Sequence, residues 1–264
     1  MTKKNIAIIG CGNLGLSILN GLLSHESISA NQITATRRNV ALLDEYKSSG
    51  IQITNDNIQA VQNSDILIFA LKPYKILEII ESLNPYLDTN KHILISLATG
   101  VFVQQIENIT PKDLPVFRAM PNTAADVQMS LTCICSNSNH QDIHNEVLQC
   151  FNTIGNSIII NEDLMDSATV LGACGIAYVL RFIRGMIQGG IEIGFDSKTA
   201  TEIVTHTVKG AAELLIKNQN HPEFEIDKVT TPKGCTITGL NEMEHNGFSS
   251  ALIKGIVASY DKID

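Results

Sequence analysis

The chain has 264 residues, room for one large or two modest domains, and its 44% hydrophobic and 17% charged content with 18 Gly and 7 Pro is that of a folded globular protein. The 19 Lys and Arg set against 27 Asp and Glu leave a formal charge of −8, which repels phosphate backbones and anionic lipid, so neither nucleic acid nor membrane is expected as a partner. Six cysteines without CxxC spacing point to a reducing, cytoplasmic setting and to no metal centre.

Lys3 and Lys4 before an apolar run imitate a secretory signal, but GCGNLG interrupts that run, and strand, tight turn and helix account for its residues. From Asn5 to about Ile160, short apolar runs alternate with amphipathic stretches, which predicts a doubly wound, parallel α/β sheet. The strands are expected at Asn5–Ile9, Gln32–Thr36, Ile51–Ile53, Asp65–Ala70, His92–Ser96, Val116–Met120, Ser130–Ile134 and Ser157–Ile160. Helices are expected from Asn13 to Leu23, after an N-cap at Asn55 or Asp56, and from Pro73.

After Glu162 the strand pattern stops, and apolar residues recur at three- and four-residue spacing. Helices are expected at Asp163–Gly172, Gly175–Ile193, Ser197–Lys217, Lys233–His245 and Phe248–Lys262, with a break at Asn218–Pro222. The chain thus divides into residues 1–161 and 162–264. The longest unbroken apolar run, Val170 to Leu180, falls short of the ~20 residues that cross a bilayer. Stretches such as TVLGACGIAYVL and SSALIKGIVASY are apolar on too many sides for a helical half of this size to bury alone, so a second copy is expected to cover them.

Gly10-Cys11-Gly12-Asn13-Leu14-Gly15 is a GxGxxG directly after a strand and opening a helix. The first glycine permits the turn, the second lets backbone approach a pyrophosphate, and the third lets helix pack on strand. At the end of the second strand, where an NAD enzyme places a carboxylate, stand Thr36, Arg37 and Arg38. A hydroxyl and two guanidinium groups suit a 2′-phosphate, so NADPH is favoured and NADH expected to bind more weakly. FALKPY, ISLATG and RAMPNTAAD end three further strands, at the edge where open α/β sheets bind ligands. VTTPKGCTITGL places hydroxyls and a run of backbone N–H groups ahead of a helix, a pattern shared by carboxylate-binding nests and by ordinary helix caps. His140 and His144, spaced i, i+4, are read as a solvated helix face.

Taken together, GCGNLG, TRRN, Asn57, ALKP, SLATG, RAMPNT, EDLMDSATVLGACGIAY and VTTPKGCTITGLNEME resemble the pyrroline-5-carboxylate reductase family along nearly the whole chain. The resemblance implies a Rossmann-like NAD(P)-binding domain followed by an all-helical dimerisation domain, homodimers or rings of dimers, and reduction of 1-pyrroline-5-carboxylate to L-proline. It places the dinucleotide phosphates at Gly10, Gly12, Asn13, Leu14 and Gly15, the ribose phosphate at Thr36 and Arg37, the adenine side at Asn57, and the nicotinamide side at Ala70, Lys72, Pro73, Ala98 and Asn122. The substrate carboxylate falls to Thr231, Gly234 and Cys235, with the Thr236 hydroxyl toward the ring nitrogen.

The chain departs from the family pattern near the substrate. Gly172, Cys174 and Ile176 replace the two serines and the proline of SGSGPAY, Lys233 replaces a glycine, and Gln219 stands where a Glu is usual. Lys233 and Cys174 are therefore added to the substrate-side candidates. A paralogue that reduces another cyclic imine, or a non-catalytic NADP-binding sensor, fits the same motifs.

Overall fold

The computed structural model describes residues 4–263, so Lys3 lies outside the described residues. Eight strands form one sheet: β1 (Ile6–Ile9), β2 (Ile33–Thr36), β3 (Gln52–Thr54), β4 (Ile66–Phe69), β5 (Ile93–Ser96), β6 (Val116–Met120), β7 (Ser130–Ser136) and β8 (Gly155–Ile159), in the order β3-β2-β1-β4-β5-β6-β7-β8. Strands buried on both faces read as continuous apolar runs, and β1, β2, β4, β5 and β6 are buried at every position. The two-residue period then sorts their side chains. Ile6 and Ile8 of β1 join Ile18, Leu22 and Phe117 on one face, while Ala7 and Ile9 join Ile76, Ile80 and Phe69 on the other.

The expected all-parallel sheet needs one correction, because β7 runs antiparallel to β6. Only residues 121–129 connect the two, with a 3₁₀ turn at Thr123–Val127, and a parallel return needs a crossover of a dozen or more residues. The connection from β7 to β8 carries helix α5 (Gln141–Asn152 in chain order) and restores the parallel direction. His144 in this helix is not simply solvated: its ring lies edge-on to Phe117, and Nε2 sits 2.7 Å from the Ser138 carbonyl and 3.0 Å from the Ser136 hydroxyl.

The other helices over the sheet are α1 (Asn13–Leu23), α2 (Asn57–Gln62), α3 (Pro73–Leu83) and α4 (Val103–Glu107). Asp56 caps α2, its carboxylate accepting from the N–H groups of Ile58 and Gln59. The strand order reverses between β1 and β4, so the carboxyl ends of these strands form the crevice where such sheets bind ligands.

Residues Glu162–Glu192 form one continuous helix instead of the expected pair. It comprises a 3₁₀ turn (Glu162–Leu164), α6 (Met165–Ala168), a π-helical turn (Thr169–Cys174) and α7 (Gly175–Glu192). At 31 residues it is long and apolar enough to cross a membrane by length and composition, which corrects the inference drawn from the shorter Val170–Leu180 run.

The chain separates into two compact units at Ile176/Ala177, later than the composition change at Glu162. The reason is packing: Met165 and Val170 are buried, and Met165 belongs to the sheet's core. The second unit continues α7 and adds α8 (Ser197–Asn218), α9 (Pro222–Lys228), α10 (Cys235–His245) and α11 (Phe248–Tyr260). The break expected at Asn218–Pro222 is only a cap and a restart, with Gln219 left-handed at the end of α8 and Pro222 opening α9. Within this unit, Phe182, Met186, Ile193, Phe195, Met243 and Phe248 help to line an apolar groove of about 1170 Å³.

Candidate functional site

The turn from β1 into α1 is built by its glycines, each for a different reason. Gly10 has φ +91°, and a Cβ there would fall 2.4 Å from Leu71 Cδ2. Gly15 lets α1 pack on the sheet, since its Cβ would meet the Gly10 carbonyl at 3.1 Å and the Ala70 methyl at 3.3 Å. At Gly12 the surroundings are open: beyond its two chain neighbours, nothing described lies within 4 Å of the Cβ position. The protein's own packing therefore does not require a glycine at Gly12, whereas a pyrophosphate seated on the backbone does. Asn13 is exposed and Leu14 half-buried beside it, with no side chain capping α1, so these residues fit a dinucleotide phosphate.

Thr36 is buried, and its hydroxyl accepts from the Gly10 N–H at 3.2 Å while its carbonyl accepts from Cys11 N–H at 2.8 Å. It shapes the loop from behind and brings the β2 end against it, so its hydroxyl has a task beyond the one the motif suggested. Arg37 follows half-buried and Arg38 exposed. Burial pushes the Cys11 thiol up to about 12, against the opposing pull of the Arg37 charge, so Cys11 is an inert core thiol. Cys150 and Cys135 are held up by burial in the same way, to about 12 and about 11.

Asn57 opens α2 at the end of β3, and Ala70, Lys72 and Pro73 follow β4, with Lys72 at the N-cap of α3 and exposed. Ala98 is buried after β5. Asn122 is 8% exposed and heavily bonded within the protein. Its Oδ1 accepts from Ala124 N–H at 3.0 Å, its Nδ2 donates to the Gly172 carbonyl at 3.1 Å, and its own N–H donates to Ser130 Oγ at 3.0 Å. Its side chain thus ties the β6 end to the π turn, which also carries half-buried Cys174.

Sequence reasoning missed Arg118 and Glu162. Arg118, in the middle of β6, is 1% exposed and donates from Nη1 to Glu162 Oε1 at 2.9 Å. Glu162 follows β8 and starts the long helix. RAMPNT and EDLMD each carried one partner, but nothing in either motif pairs residues so distant in the chain.

In the helical unit, Thr231 to Thr236 form one loop. The Gly234 N–H donates to the Thr231 carbonyl at 2.9 Å, and a Cβ on Gly234 would sit 2.6 Å from Thr231 Oγ1. Lys233 has φ +56°, the left-handed region that disfavours a side chain, and is exposed. Gly234 caps α10 with no side-chain bond to the helix start. The first N–H groups of α10 are left for an acceptor, with exposed Cys235 and half-buried Thr236 in the first turn. Among the described residues no three His, Cys, Asp or Glu side chains gather as metal ligands.

Residues 162–264 match the family described as pyrroline-5-carboxylate reductase dimerisation, and residues 5–100 match NADP oxidoreductase, coenzyme F420-dependent. Pyrroline-5-carboxylate reductase 2 of Dictyostelium discoideum is 43% identical over 98% of this chain and 92% of its own length. The chain belongs to the pyrroline-5-carboxylate reductase family.

Pyrroline-5-carboxylate reductase 1 of the same organism is 44% identical over 98% of this chain, which spans 49% of that protein's length. Among solved structures, the Plasmodium falciparum pyrroline carboxylate reductase with NADP bound has a TM-score of 0.87 at 25% identity, covering 99% of this chain and 97% of its own. The Coxiella burnetii pyrroline-5-carboxylate reductase has a TM-score of 0.88 at 28% identity, covering 99% and 98%. Membership of this reductase family accounts for the order of the motifs from GCGNLG to VTTPKGCTITGL, and its dimerisation region coincides with the helices that leave apolar faces uncovered.

Proposed function

We propose that this chain reduces 1-pyrroline-5-carboxylate to L-proline, using NADPH in preference to NADH. The observation that carries the reading is the start of α10, where free helix-start N–H groups, Lys233 and the Thr236 hydroxyl suit a small anion carrying a nitrogen. NADPH, when bound, would supply the hydride, and water the proton that the ring nitrogen takes up, so that the C=N bond becomes CH–NH. The glycine loop from Gly10 to Gly15 holds the dinucleotide phosphates, and Arg37 and Arg38 favour the 2′-phosphate through charge-assisted hydrogen bonds. Asn57 serves the adenine side, and Ala70, Lys72, Pro73, Ala98 and Asn122 shape the nicotinamide side. Gly234 and Cys235 offer backbone N–H groups to the substrate carboxylate, and Thr231 fixes the loop that presents them. The Thr236 hydroxyl hydrogen-bonds the ring nitrogen as it becomes an amine. Positioning and charge complementarity suffice for this reaction, and the thiols that burial holds protonated take no part in it.

Self-association through the helical half covers its apolar faces, and dimers associate further into rings. The acidic surface and six unpaired cysteines suit the cytoplasm, with a second copy rather than lipid against the long helix. The test is the absorbance of NADPH on addition of the pyrroline. Thr236→Ala is expected to lower kcat about 10- to 100-fold while NADPH affinity changes less than about twofold. Tight NADPH binding without turnover by the wild type points instead to a sensor, and an unchanged rate in the variant removes Thr236 from the site.

A further inference from the structure

Arg118 is the most deeply buried charge in the first unit, and the proposed contacts do not use it. Besides its bond to Glu162, its Nη2 lies 3.8 Å from Asp166 Oδ1, and its guanidinium carbon lies 5.1 Å from the centre of the Phe102 ring. Nε and Nη2, and Asp166 Oδ1 as well, have no hydrogen-bond partner among the described residues. A buried ion pair so incompletely satisfied is a poor source of stability, because an apolar side chain of similar volume fills the place as well. Its geometry explains it better.

The same Glu162 Oε1 that binds Arg118 accepts from the Val103 N–H at 2.8 Å. Val103 is the first residue of α4, directly after the loop that carries Ala98. Ten residues along the same helix, Gly172 accepts from Asn122 Nδ2 through the π turn. The stretch from Glu162 to Gly172 is thereby fastened to the β5 end at Val103 and to β6 at both Arg118 and Asn122.

We propose that Arg118 and Glu162 are positioning residues for the nicotinamide: through Val103 and β6 they set the spacing and tilt of the strand ends that carry Ala98 and Asn122. The inference rests on the reading of those strand ends given under the proposed function. Neither residue touches the adenine and phosphate end of the crevice, which is built from β1, β2 and β3.

The test compares NADP⁺ with 2′-phospho-ADP-ribose, which has the same adenosine and phosphate groups and lacks the nicotinamide. Both are titrated calorimetrically into the full-length wild type, Glu162→Gln, Arg118→Lys and Arg118→Met. Expected is an affinity for the fragment within about twofold of wild type in Glu162→Gln, with NADP⁺ weakened about tenfold and kcat lowered up to about 100-fold, the scale of an ångström of misplacement. Arg118→Lys, which keeps the charge near Glu162, is expected to recover part of the loss seen in Arg118→Met. Glu162→Gln keeps an acceptor for Val103 on a partly exposed side chain, so it serves even where Arg118→Met fails to fold. Parallel weakening of both ligands, or a lowered melting temperature with both affinities unchanged, overturns the positioning role. A wild type that binds the fragment and NADP⁺ equally overturns the reading of the strand ends themselves.

Discussion

The two units solve the problem of burial in opposite ways. In the first, whole strands are enclosed, and Phe69, Phe117 and Phe151 are fully buried among aliphatic neighbours. In the second, Ala200 and Val204 are the buried apolar residues among those described, while Phe182, Phe195, Phe248 and Leu252 remain exposed and Ile193 is 79% exposed. A sheet with helices over it closes a core by itself. A few long helices with apolar residues around most of their circumference do not, and each exposed face awaits a surface of the same kind. The helical unit thus leaves apolar faces open, in keeping with the dimerisation family it matches.

A pair of substitutions puts the contrast at its sharpest. Phe69→Ala empties a fully buried site and is expected to cost about 3–5 kcal/mol, leaving the oligomeric state as it was. Ile193→Asp on a lone monomer would change stability by no more than about 0.5 kcal/mol, the rule for open surface. If a second copy covers that face, the charge is buried at an interface and costs about 2 kcal/mol or more, seen as dissociation in light scattering and as a melting temperature that rises with protein concentration. A wild type that is monomeric at micromolar concentration breaks the comparison.

The two loops proposed to hold ligands differ in the same spirit. Gly10 meets its positive φ with the residue that does so freely, whereas Lys233 meets φ +56° with one that is strained there. Lys233→Gly is expected to relieve up to about 1 kcal/mol of strain, partly offset by the added freedom of the unfolded chain. If the ammonium aids carboxylate binding, the same change raises the KM for the pyrroline several-fold, and the difference shrinks at high salt. Unchanged or improved kinetics would falsify that role and leave Lys233 a surface residue.

Local patterns carried most of the first unit. The central strands β1, β4 and β5 were legible as unbroken apolar runs buried on both faces, β2, β3 and β8 from shorter β-like runs between turn and helix signals, and GCGNLG because Gly10 needs a positive φ and Gly15 leaves little room for a side chain. Strand direction was not, since β7 has the same composition either way and only the short connection from Met120 to Ser130 decides it. The π turn at Thr169–Cys174 leaves no compositional trace, because it shifts backbone bonding within one continuous helix. Asn122 was placed at the cofactor by its motif, and its bond to Ala124 is a local cap, but its side-chain bond to Gly172 depends on segments meeting in space. The same holds for Arg118 and Glu162.

The smallest expected effect concerns pH, and it also separates the units. His206, His221 and His245 of the helical unit are exposed, whereas His92 lies 3% exposed under the start of β5. Its Nδ1 accepts from the Asp88 N–H at 2.9 Å, which leaves Nε2, 3.2 Å from the Val61 carbonyl, to carry the proton of the neutral ring. Burial holds its pKa below the ordinary 6.5, and the neighbouring Lys91 charge adds to this. As pH falls below about 6.5 the unfolded chain takes up a proton that the folded ring resists, so the unfolded state binds more protons and stability declines until the lowered pKa is reached. The melting temperature of the wild type should therefore drop modestly between about pH 7 and pH 5.5, and that of His92→Gln should change less over the same interval. Equal slopes for the two proteins would assign the decline to other groups and leave His92 as a neutral packing residue throughout.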